Sequence, residues 1–425
     1  MPHSRLPAEP GTRWYRKLGP GLITGAADDD PSGIATYSQA GAQFGFNMLW
    51  TVLLTYPLMA AIQIVSARIG RVSGHGLAGN IRMHYPAWLL YGVVLLLLVA
   101  NTINIAADVS AMGQAATLLI GGQPHLYTIA FGLVSLGLQV FIPYTRYVRV
   151  LKWLTLALLA YVGILFTVHI PWMQVIAATV WPQLSWRPEY ITTVVAVFGT
   201  TISPYLFFWQ ASQEVEEQQA TPGALPLIEA PGQARASYRR IKLDTYVGMG
   251  FSNLIAFFIM MTTALTLHMQ GVTDIQTSAQ AASALRPIAG DMAFMLFGLG
   301  VIGTGFLAIP VLAGSAAYAM AGAFQWTEGL ELPPGRAKAF YSIIVLSTLI
   351  GIALGFTPLD PIKALYWSAV INGVISVPIM AVMMLMASNP KVMGRFVVSP
   401  RLRWLGWLAT AVMAAAVAAM FATLG

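Results

Sequence analysis

The chain has 425 residues, of which 57% are hydrophobic and only 9% charged, with a mean hydropathy of +0.68. Soluble domains carry about 25% charged residues, so this composition belongs to a polytopic membrane protein. No cysteine is present, which excludes disulfides and thiolate metal sites. The net charge of +7 sits in short connections between apolar stretches, which argues against nucleic acid as a partner.

The first polar residues, 1–18, form a cytoplasmic N-terminal segment in this reading, with no cleavable signal peptide pattern after them. A helix needs about 20 apolar residues to cross a bilayer. The pattern predicts eleven spans: 16–45, 46–69, 87–111, 125–142, 150–169, 190–213, 241–268, 291–323, 339–355, 361–387 and 404–424. Of the 23 Lys and Arg, all but Arg187, Arg286 and Lys363 then fall on the side of the N-terminus. That asymmetry predicts a cytoplasmic N-terminus and an outside C-terminus. The polar, proline-rich connection 214–240 reads as a flexible cytoplasmic loop.

The first span carries Asp28-Asp29-Asp30-Pro31-Ser32-Gly33. Each carboxylate in a hydrophobic span costs about 2.5–3.5 kcal/mol on an insertion scale, and the proline and glycine that follow break a helix. The sixth span carries Gly199-Thr200-Thr201-Ile202-Ser203-Pro204-Tyr205. Pro204 lacks an amide donor and clashes with the carbonyl four residues earlier, which frees carbonyls near Thr200. Two interrupted spans at matching positions of two halves point to a transporter binding site. The spacing predicts a single transmembrane domain, 19–424, built as inverted five-helix repeats over 19–170 and 190–387, with helix 11 over 404–424 appended.

Several stretches, taken in order, resemble the NRAMP divalent-metal transporters. They are Gly19-Pro20-Gly21 through Asp30-Pro31-Ser32-Gly33 to Gln39-Ala40-Gly41-Ala42; Ile69-Gly70-Arg71-Val72-Ser73-Gly74 with Asn80-Ile81-Arg82; Ala107-Asp108; Gly199 to Tyr205; and Phe297-Gly298-Leu299-Gly300. The resemblance implies an all-α, LeuT-like fold with broken helices 1 and 6, a divalent cation as transported substrate, no cofactor and no enzymatic activity. It implies Asp30 as the metal-binding aspartate and the Thr200 carbonyl as a ligand. The departures are informative. Gly33 stands where the family has an Asn ligand, and Ser203 where it has a Met. Tyr205 and Gln210 stand where it has histidines. Asp108 matches a family aspartate, and Ala111 replaces a glutamate of the family's proton route. This pattern is similar to the NRAMP-related magnesium transporters.

A thioether selects softer metals, so Ser203 removes that preference, and Gly33 removes a side-chain carbonyl and leaves space. Asp28 and Asp29 add anionic oxygen near Asp30. Hard oxygens with room for water suit Mg²⁺, which keeps several waters; Mn²⁺ is the expected co-substrate. Asp108, Tyr205 and Asn372 are secondary candidates, and Glu214, Glu216 and Glu217 could line a cytoplasmic exit. The histidines are His3, His75, His84, His125, His169 and His268, none of them midway along spans three or six, so weak or absent proton coupling is expected. The alternatives are a proton-coupled Mn²⁺/Fe²⁺ symporter of the family's main type, a sodium-coupled organic solute transporter of the same fold, and an intramembrane aspartyl protease using Asp30 and Asp108. The setting is a prokaryotic inner membrane, with the lipid bilayer and the ion as partners and no obligate protein partner.

Overall fold

The computed structural model describes residues 20–143, 146, 154–357 and 360–424. The N-terminal segment 1–18, the start of the first span and residues 150–153 of the fifth lie outside the described residues. Among the described residues there is no strand. The principal helices are α1 (Pro20–Asp28), α2 (Pro31–Phe44), α3 (Leu49–Ser73), α4 (Leu77–His84), α5 (Ala87–Ile120), α6 (Pro124–Phe141), α7 (Trp172–Val180), α8 (Pro188–Thr201), α9 (Pro204–Ala220), α10 (Ala234–Thr266), α11 (Ala293–Phe324), α12 (Lys338–Leu354), α13 (Pro361–Ser388) and α14 (Pro400–Leu424). Among the described residues, eight helical stretches are long and apolar enough to cross a membrane, and Ala157–Thr167 and Lys338–Leu354 are shorter apolar helices.

Both sequence-predicted interruptions are present, and the same local chemistry makes them. A residue before proline is pushed out of the α region into extended backbone. Asp30 before Pro31 has φ −68°, ψ 170°, and Ser203 before Pro204 has φ −83°, ψ 134°. Each proline then becomes the first residue of the next helix, where its missing N–H costs nothing. Asp30 also caps α2, accepting from the Gly33 amide at 2.7 Å.

Close backbone approach holds the broken helices in place. A Cβ on Gly25 of α1 would lie 2.3 Å from the Gly248 carbonyl carbon of α10. One on Gly199 of α8 would lie 2.1 Å from the Ala369 carbonyl oxygen of α13. Small residues let helices meet this way in lipid, where van der Waals packing replaces hydrophobic driving force. Leu95, Leu96 and Val99 on α5 and Leu346, Leu349 and Ile350 on α12 are exposed, as lipid-facing side chains are.

Three boundaries differ from the sequence reading. The third span does not stop at Ala111 but continues through Gly113 as α5 to Ile120, and ends only where Gly121 takes a positive φ of 73°. The connection 214–240 is helical at both ends, so only residues 221–233 lie between α9 and α10, ending in a 3₁₀ turn, Pro231–Gln233. It is not a free loop: the Leu227 and Ile228 amides each donate at 3.3 Å, to the Arg71 and Val72 carbonyls, and Leu227 is fully buried.

Glu214, Glu216 and Glu217 are also engaged rather than lining an open exit. Arg240 pairs with Glu214, and with Glu217 at 2.8 Å. Glu216 accepts from the Leu330 amide at 2.7 Å. A fully buried carboxylate such as Glu214 needs such a partner.

Candidate functional site

The two interruptions meet. A Cβ on Gly33 would come within 3.4 Å of Thr200 Oγ1 and 3.3 Å of the Asp28 carbonyl oxygen. Tyr37 Oη and Thr201 Oγ1 are 3.0 Å apart, joining α2 to α8. Tyr205 Oη, at the start of α9, lies 3.3 Å from both Asp30 Oδ2 and the Ala27 carbonyl. All of these residues are buried.

Asp30 is the hub. Besides its capping bond, it accepts from Asn104 Nδ2 of α5 at 3.2 Å and from Tyr205. Three elements therefore converge on one carboxylate: the α1/α2 break, α5 and α9. Asp108 lies one turn beyond Asn104 on the same face of α5 and is fully buried. Both Asp108 oxygens are buried without a hydrogen-bond partner, as are Asn104 Oδ1 and Asp28 Oδ1. Buried polar atoms are nearly always satisfied, so these four oxygens are acceptors left available to a cation or water.

The aspartate triplet divides. Asp28 Oδ2 and Asp29 Oδ1 both face Ser252 Oγ of α10, at 2.5 and 3.0 Å, whereas Asp30 faces α5 and α9. One hydroxyl proton serves two carboxylates at a time when both need compensation. Among the described residues, no three Asp, Glu, His or Cys side chains form a group that could hold a metal. An ion at Asp30 would therefore draw on carbonyl, hydroxyl, amide and water oxygens as well.

Ser203 does not extend toward the break. Its hydroxyl lies 2.7 Å from the Gly199 carbonyl and 2.8 Å from the Thr200 carbonyl, bonding back onto α8. It satisfies carbonyls that Pro204 freed, and the Thr200 carbonyl keeps a second lone pair. Asn372 is buried on α13, beside Gly373, where that helix closes on Gly199. Gln210 contacts α1 instead, 2.6 Å from Thr24 Oγ1.

Toward the far end of α2 and the start of α8 lies a cavity of about 590 Å³, lined by Gln39, Gln43, Glu189, Thr192, Asp274, Lys363 and Tyr366 among others. Gln39 is about 13 Å along α2 from Asp30. Tyr366, in the cavity wall, meets Thr193 at 2.9 Å.

Sequence reading missed Asn104 and Ser252. Neither lies in a motif, and both are common hydrogen-bonding residues in membrane helices. The one signal for Asn104 was its spacing, a single helical turn before Asp108.

Comparison with known proteins gives the family and the fold. The chain is 26% identical over 408 residues to the divalent metal cation transporter MntH of Klebsiella pneumoniae, covering 93% of this chain and 91% of that one. A crystal structure of the Eremococcus coleocola manganese transporter, in complex with an aromatic bis-isothiourea substituted compound, superposes with a TM-score of 0.77 at 15% identity, over 98% of this chain and 90% of that chain. Mhp1, a nucleobase-cation-symport-1 family transporter, superposes in its closed conformation with a TM-score of 0.59 at 16% identity, over 96% and 87%. At those identities the two structures establish the shared LeuT-type fold alone. The family model described as natural resistance-associated macrophage protein-like matches residues 21–423, and the chain belongs to that Nramp family of membrane transporters.

Proposed function

We propose that this protein carries Mg²⁺, and Mn²⁺ as a second cargo, across the bacterial inner membrane as a partly hydrated ion with weak or no proton coupling. The metal is a substrate, not a cofactor. The observation that carries the reading is the meeting of the two proline-broken helices at Asp30, whose carboxylate is bonded by the Gly33 amide, Asn104 and Tyr205. Asp30 is the principal ligand. The Thr200 carbonyl contributes directly, while Ser203, Asp28 and Asp29 shape the surrounding oxygen field and Gly33 leaves space for water. Asp108, Tyr205 and Asn372 stand in the outer ring. The relatives support a divalent metal in general: one is named a divalent metal cation transporter and another a manganese transporter. Mg²⁺ is favoured because its tightly held water suits a site with few charged ligands and no thioether. A carboxylate-bearing organic solute is disfavoured by the charge of Asp28, Asp29 and Asp30.

Eleven spans in two inverted repeats, 19–170 and 190–387, with the N-terminus cytoplasmic, complete the proposal. The test is Mg²⁺ uptake into proteoliposomes that also hold a pH dye. Uptake without matching acidification is expected. Absence of Mg²⁺ uptake beside robust Mn²⁺ uptake, or stoichiometric acidification, would return the chain to the proton-coupled manganese reading.

A further inference from the structure

We propose that Asn104, on α5, supplies a ligand oxygen to the divalent cation at Asp30, replacing the side-chain amide that Gly33 cannot offer. This rests on the reading of Asp30 as the cation site. Asn104 is fully buried. Its Nδ2 lies 3.2 Å from Asp30 Oδ2, and its Oδ1 has no hydrogen-bond partner. The amide orientation follows from chemistry, since a carboxylate only accepts.

That arrangement suits a site without an ion. The amide N–H lends positive charge to a buried carboxylate that would otherwise lack compensation. When a cation arrives, the carboxylate no longer needs the donor. A half-turn of the terminal amide exchanges N for O in nearly the same place, because that torsion is broad and roughly two-fold. The oxygen then stands about where Nδ2 was, near 3.2 Å from Asp30 Oδ2. Adjacent ligands of octahedral Mg²⁺, each 2.0–2.1 Å from the ion, are about 2.9 Å apart. The two oxygens can thus share one ion as neighbouring ligands with a shift of a few tenths of an ångström.

Gly33 explains why the oxygen comes from α5. Even a Cβ at 33 would stand 3.3 Å from the Tyr37 ring and 3.4 Å from Thr200 Oγ1, so a longer side chain on α2 would have to displace these neighbours. Asn104 bonds Asp30 Oδ2, not the Oδ1 that accepts from the Gly33 amide, and sits on a helix that packs against both α11 and α13.

The experiment is Mg²⁺ binding by calorimetry to the purified full-length protein and to Asn104→Leu, Asn104→Asp and Asp30→Ala. Asn104→Leu removes the oxygen, and its affinity is expected to fall at least about tenfold. Asn104→Asp keeps an oxygen at that place and is expected to stay within about threefold of wild type or to bind more tightly. Wild-type affinity in Asn104→Leu would overturn the proposal. So would equal losses in both variants, because a residue that merely held Asp30 through its N–H would fail in both. If Asn104→Leu does not fold, Asn104→Asp alone decides by keeping or losing affinity. Undiminished binding by Asp30→Ala would instead remove the cation site itself.

Discussion

At the scale of single residues, the chemistry turns on which oxygens face the break. Asp30 gathers bonds from Gly33, Asn104 and Tyr205, so Asp30→Ala should abolish Mg²⁺ binding while the fold survives. Calorimetry combined with a thermal melt separates the two effects. Ser203→Met restores a thioether beside the Thr200 carbonyl and removes the hydroxyl that bonds back to α8. Its expected outcome is a several-fold rise of Cd²⁺ or Mn²⁺ transport relative to Mg²⁺, read by metal competition in proteoliposomes. An unchanged ratio would sink the soft-ligand explanation. Sequence reading put Asp30 and Thr200 beside the two breaks because a proline's effect is local. It could not divide Asp28 and Asp29 from Asp30, because Ser252, which claims them, lies more than two hundred residues away in the chain.

At the scale of elements, the interruptions and their supports can be tested separately. Pro204→Ala permits the amide and the α conformation that α8 and α9 need to join. Transport should fall at least about tenfold with expression preserved, because the freed carbonyl at Thr200 would be taken back into the helix. On the side of the membrane assigned to the cytoplasm, Arg240 joins α10 to α9 through Glu214 and Glu217. Arg240→Ala leaves the fully buried Glu214 uncompensated and should destabilise the protein by about 3–5 kcal/mol, seen as a lowered melting temperature. Beside this lies the connection between α11 and α12. Burial, with the neighbouring Glu216 carboxylate, pushes the Glu328 carboxyl up to about 8. A raised folded-state value means the folded protein binds its proton more tightly than the unfolded chain does. That stability is present in full below the ordinary value near 4.5 and is lost as pH rises through about 8. Glu328→Gln should therefore melt higher than wild type at pH 9 and close to it at pH 4. A constant gap across that range would refute the assignment. The helix pattern made α9 and α10 legible, but not their clasp, since charged residues at helix ends look alike in sequence whether they meet solvent or one another.

At the scale of the whole molecule, the driving force follows from the charge of the cargo. A dication crossing a 100 mV inside-negative potential gains about 4.6 kcal/mol, enough for roughly thousandfold accumulation. Accumulation of Mg²⁺ in proteoliposomes should track an imposed potassium diffusion potential and be indifferent to an imposed pH gradient. Dependence on the pH gradient at zero potential would contradict uncoupled transport.

The amino-acid sequence by itself determined that this is a helical membrane protein with proline breaks after Asp30 and Ser203 and an aspartate at the first of them. Hydropathy and proline geometry act over a few neighbouring residues, so they are written in contiguous letters. Tertiary structure decided which polar groups share a site. It brought Asn104 to Asp30, turned Ser203 back onto its own helix and gave Asp28 and Asp29 to Ser252. Those outcomes depend on how helices distant in sequence cross and how closely their glycines let them approach, and no local pattern encodes that.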